Sequence, residues 1–146
     1  MRRGAIAIVG LLFVQGILAG SASAEPFFVY FGTQTRGQAP DASKGIYRSL
    51  FDSEAGELSE PVLAAAAPNP GFLELHPSGG FLYATSFAGP AGFVNAYAAD
   101  CATGELTLLN QQPSGGGGPC HVTVDPAGKN VLVANYGGGS VSVIPI

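Results

Sequence analysis

An all-β chain built from repeated four-stranded units is the fold class this sequence predicts, and three observations predict it. The segment from Pro70 to Ser86 lies on Pro119 to Asn135 without a gap at a shift of 49 residues, matching Pro77 with Pro126 and Gly79 with Gly128. A second match, at a shift of 48, lays Asp52-Ser-Glu-Ala-Gly-Glu-Leu58 on Asp100-Cys-Ala-Thr-Gly-Glu-Leu106. Between these fixed points the apolar runs are short, bounded by Gly and Pro, and lack helical spacing. A repeated unit of about 48 residues holding four short strands has the form of a β-propeller blade.

The central unit shows the plan most fully. Its strands are expected at Phe72 to Leu75, Phe81 to Thr85, Phe93 to Ala98 and Leu106 to Gln112. His76-Pro-Ser-Gly79 and Asp125-Pro-Ala-Gly128 read as tight turns, since proline presets φ at the second position and glycine permits the left-handed exit. In the first unit Tyr30 falls over Tyr83, so Phe28 to Thr33 is a second strand and the unit begins without its innermost one. The third unit reaches its third strand at Ile146. The blade units are read as approximately 27–69, 70–118 and 119–146, about two and a half blades where a propeller has four to eight. Remaining blades, or further copies, are therefore expected to close the ring.

Residues 1–24 read as a secretory signal. Arg2 and Arg3 supply the positive start, Ala5 to Ala19 the apolar stretch, and Ala22-Ser-Ala24 the small-residue cleavage pattern, giving a mature chain from Glu25 to Ile146 and an exported protein with no membrane span after cleavage. The whole chain has six Lys and Arg against ten Asp and Glu. Loss of the leader leaves it more acidic, without the basic stripe that binds a phosphate backbone, so nucleic acid is excluded as a partner.

Opposite ends of the strands carry different loops. His76 to Gly79, Asp100 to Gly104 and Asp125 to Gly128 are assigned to the lower face, and Phe87 to Gly92, Ser114 to Cys120 and Asn135 to Ser140 to the upper face. His121 then opens an inner strand at the upper mouth of the central tunnel and is the candidate acid/base. Asn135 and Tyr136 end the next strand on the same face, placed to donate to a substrate oxygen, and also begin the Gly137-Gly-Gly139 turn. Arg36 and Lys44, in the long upper loop of the first unit, can meet a phosphate or carboxylate. His76 and the turn residues Asp52, Asp100 and Asp125 are read as structural. The Gly115 to Gly118 run lacks the Lys-Ser/Thr of a nucleotide-binding loop, and no His/Cys cluster has zinc spacing. Cys101 and Cys120 fall on opposite faces, a strand apart, so no bridge between them is expected.

The stretch from Gly118-Pro-Cys-His-Val-Thr-Val-Asp-Pro-Ala-Gly to Val143, with Val29-Tyr-Phe-Gly-Thr33, Lys44-Gly-Ile-Tyr47 and Gly56-Glu-Leu58, resembles the lactonase family of seven-bladed propellers. That family includes propeller-type bacterial 6-phosphogluconolactonases and fungal 3-carboxymuconate-cyclising enzymes. The resemblance implies a 6-phosphogluconolactonase-like hydrolase that opens a small-molecule sugar lactone with no metal or organic cofactor, using residues around the upper tunnel mouth. It leaves two alternatives: an exported propeller that binds without catalysis, and a cyclase or hydrolase acting on a carboxylated muconolactone or on an unphosphorylated sugar lactone.

Overall fold

The computed structural model describes residues 26–35 and 42–146. All its elements are strands, arranged in three antiparallel sheets. The first sheet holds β1 (Phe27–Gly32), β2 (Gly45–Asp52), β3 (Glu57–Leu58) and β4 (Val62–Ala66). β1 flanks β2 on one side, and β3 and β4 pair with β2 at Phe51 to Asp52 and at Gly45 to Arg48 respectively. They are one outer strand in two pieces. The break falls at Ser59-Glu-Pro61, where Pro61 has no N–H to donate. There the Leu50 N–H donates to Ser59 Oγ at 2.9 Å in place of a ladder carbonyl.

The second sheet runs in chain order, β5 (Leu73–Leu75), β6 (Phe81–Ala88), β7 (Ala91–Ala99) and β8 (Leu106–Pro113). Its middle hairpin is longer than the sequence implied. Ala88 pairs with Ala91 across a two-residue Gly89-Pro90 connection, so most of the expected Phe87 to Gly92 loop is strand. The third sheet is β9 (Pro119–Val124), β10 (Asn130–Asn135) and β11 (Ser140–Pro145). Cys120, expected in the upper loop, is the second residue of β9, because Asn135 pairs back to Pro119 past a bulge after Ala134. Cys101 and Cys120 are both free and exposed.

Both faces of β6 are buried, as its unbroken apolar run requires. Leu82 and Ala84 pack with Tyr30, Ile46, Leu73, Tyr97 and Leu106 between the first and second sheets. Tyr83, on the other face, packs with Val94, Val122, Val124, Val131 and Val133 between the second and third. The period-two alternation of each strand thus feeds two inter-sheet cores.

The strand ends carry the polar links between sheets. On the lower side Arg48 Nε donates to the Thr103 carbonyl at 2.7 Å and the Tyr30 hydroxyl to the Gly104 carbonyl at 3.0 Å. Burial pushes the Tyr30 phenol up to about 12, against a smaller opposing pull from the Arg48 charge. His76 joins the second sheet to the third through Nε2, 3.1 Å from the Gly128 carbonyl. A carbonyl only accepts, so Nε2 carries the proton, and Nδ1 receives the Ser78 N–H at 3.1 Å. Gly79 and Gly128 close the equivalent lower turns at φ 77° and 66°. Asp52, Asp100 and Asp125 each accept backbone N–H groups within their own turns.

Candidate active site

Hydrogen bonds tie the upper loops to the strand ends. Asn69 Nδ2 donates to the Phe87 carbonyl at 3.3 Å, the Ser114 N–H to the Gly92 carbonyl at 2.9 Å, and the Tyr136 N–H to the Gly118 carbonyl at 2.9 Å. Within this rim the innermost strands are β5 and β9, each paired on one side only among the described residues.

His121 sits on β9 opposite Ala134, one residue below the bulge, and is exposed. Its ring lies 4.2 Å from that of Phe72, tilted by 40°. Phe72 and His121 occupy the same place in their repeats, 49 residues apart, so the pair joins equivalent points of neighbouring blades. Two residues further along, Thr123 Oγ1 donates to Glu74 Oε1 at 3.1 Å. Glu74 and Thr123 are again repeat equivalents. Sequence reasoning singled out none of Phe72, Glu74 or Thr123. The available signal was Glu74 itself, a charge inside the otherwise apolar strand Phe-Leu-Glu-Leu.

Asn135 is buried at 2% exposure. Its Nδ2 donates to the Ser114 carbonyl at 3.0 Å and reaches Ser142 Oγ at 3.3 Å and Ser140 Oγ at 3.4 Å. These donors therefore brace the Ser114 to Gly118 connection, while the buried Oδ1 has no hydrogen-bond partner. The fit above the amide is close, since a Cβ on Gly116 would stand 2.8 Å from Asn135 Cγ. Tyr136, the next residue, is 87% exposed at the rim. Lys44 is exposed at the upper entry to β2, and its N–H donates to the Tyr47 hydroxyl at 3.2 Å. The structure thus brings His121, Asn135 and Tyr136 to one end of the third sheet and leaves Lys44 two sheets away. Arg36 and residues 1–24, read from sequence as a leader, lie outside the described residues.

No group of three or more His, Cys, Asp or Glu among the described residues could hold a metal ion. Among the described residues no helix is long and apolar enough to cross a membrane. An apolar groove of about 400 Å³ between the second and third sheets, lined by Phe81, Tyr83, Val94, Leu109, Val131 and Ile144, contains none of the predicted site residues.

Comparison with known proteins shows the family of the fold. Residues 28–146 match the family model described as "Lactonase, 7-bladed beta-propeller". The chain is 44% identical over 117 residues to the 6-phosphogluconolactonase of Bacillus subtilis, covering 80% of this chain and 32% of that protein. Among solved structures it is similar to a protein of Bacteroides fragilis provisionally named a 6-phosphogluconolactonase, with TM-score 0.76 and 38% identity over 87% of this chain and 34% of that one. It is also similar to the periplasmic gluconolactonase of Pseudomonas aeruginosa, with TM-score 0.72 and 26% identity over 83% of this chain and 34% of that one. The chain spans about a third of the length of each of these proteins.

Proposed function

Because the chain belongs to the lactonase family of seven-bladed β-propellers, we propose that it supplies part of the active site of an exported lactone hydrolase acting on a sugar lactone of the 6-phosphogluconolactone type. The observation that carries the substrate class is the 44% identity to a 6-phosphogluconolactonase across most of the chain.

Lactone opening adds water to the ring carbonyl and expels the ring oxygen. One proton must leave the water and one must reach that oxygen. In our reading His121 does both, removing a proton from water as the C–O bond forms and returning it as the ring C–O bond breaks, so that a hydroxy acid results. Its exposure on an inner strand supports this role, and side chains suffice for the step as drawn. Tyr136 at the rim supplies a hydroxyl to substrate, and Arg36 and Lys44 meet its anionic group. Asn135 acts through the loop it braces, since its N–H groups face Ser114, Ser140 and Ser142. Donors to the developing oxyanion come from the blades that complete the ring.

An unphosphorylated sugar lactone is the second reading, favoured by the leader-like residues 1–24 and by the similarity to a periplasmic gluconolactonase. Turnover by the complete gene product of 6-phosphogluconolactone and of plain gluconolactone separates the two. Faster hydrolysis of the phosphorylated substrate is expected. Turnover of neither would replace the enzyme with a sugar-binding propeller.

A further inference from the structure

Glu74 is a half-buried carboxylate on an inner strand, and nothing in the lactone-opening step uses it. Strand alternation fixes where it points. Leu73 and Leu75 pack into the core between the first and second sheets, whereas Phe72 packs toward the third sheet, and Glu74 shares the side of Phe72. Its Oε1 meets the Thr123 hydroxyl of β9 at 3.1 Å, directly below the Phe72–His121 ring contact. Two layers thus stack along neighbouring inner strands: an aromatic pair above and a carboxylate–hydroxyl pair below, about 6–7 Å apart at the rise of a strand.

A charged group among apolar side chains costs folding free energy unless it is paired, and one neutral hydroxyl does not neutralise it. A carboxylate accepts at about four lone-pair positions, of which Thr123 occupies one. We infer that Glu74, held by Thr123 beneath the Phe72 ring, is a sugar-recognition residue that accepts hydrogen bonds from substrate hydroxyls. A polyhydroxy ring suits both layers, its C–H face against Phe72 and its O–H donors on Glu74. The same charge repels a phosphate or carboxylate, so the anionic end of a substrate points away, toward the rim that carries Lys44. The other described cations do not compete: Arg48 is bonded to the Thr103 carbonyl, and Lys129 follows the lower turn that ends at Gly128. The choice of a sugar lactone as ligand class rests on the lactonase reading.

The test pairs a protein change with a ligand change in the complete gene product. Binding of the lactam analogue of gluconolactone, which is not opened by water during the titration, and of its monodeoxy forms is measured by calorimetry for wild type, Glu74→Ala and Glu74→Gln. At least one deoxy form is expected to bind wild type about tenfold more weakly than the parent, as for loss of a charge-assisted hydrogen bond. That penalty should vanish in Glu74→Ala and be reduced in Glu74→Gln, which keeps the shape and can still accept from Thr123. Equal penalties in all three proteins, or no binding of the lactam to folded wild type, would overturn the assignment. Turnover of a lactone without this coupling removes Glu74 and leaves the hydrolase standing. Coupling without turnover removes the hydrolase and leaves the sugar subsite.

Discussion

At the scale of single residues, the lower turns show how short-range chemistry sets local structure. Hydrogen bonds from the Lys129 N–H and the Asn130 amide hold the Asp125 carboxyl below its ordinary value of 3.8, and N–H groups of Thr103 and Ala102 do the same for Asp100. A carboxyl depressed in the folded state stabilises it above the unfolded value, and that contribution is lost as pH falls through the folded one. Asp125→Asn should therefore lower the thermal midpoint at pH 7 and lessen its decline below about pH 4, as followed by circular dichroism. These carboxylates were readable from the spacings Asp125-Pro-Ala-Gly128 and Asp100-Cys-Ala-Thr-Gly104, because a turn is closed by residues three or four apart. Asn135 was not. Its position at the upper end of a strand was evident, but its enclosure depends on Ser114, which lies 21 residues away in sequence.

At the scale of elements, the repeats made the strands legible and left their limits open. Leu82, Tyr83 and Ala84 are buried in succession because β6 is covered on both faces, and that run is what the sequence displays. The split of the first outer strand into β3 and β4, and the extension of β6 and β7 to a two-residue connection, depend on pairing partners that apolar patterning does not encode. Leu82 is fully buried between the first two sheets. Leu82→Ala should cost about 2–5 kcal/mol, the range for a leucine removed from a core that cannot collapse around it. Urea unfolding of the complete gene product would register this as a lower midpoint with an unchanged slope.

At the scale of the whole molecule, the site belongs to the relation between blades. His121 and Phe72 are 49 positions apart in sequence and 4.2 Å apart by ring centroid. The repeat shift alone could have paired them, as it could have paired Glu74 with Thr123, had equivalent inner-strand positions been read across units. The signal was present and was masked by the apolar core residues between them. In our proposal this part of the fold works with residues from other blades, so activity is to be measured on the complete gene product.

The most direct test of the account is the effect of His121→Ala on kcat for 6-phosphogluconolactone hydrolysis by the complete gene product. His121 is exposed, so its truncation should leave the thermal midpoint close to that of wild type, while loss of proton transfer should lower kcat by about 100-fold or more. A folded variant that turns over at the wild-type rate would contradict the assignment of the chemistry to the upper end of the third sheet.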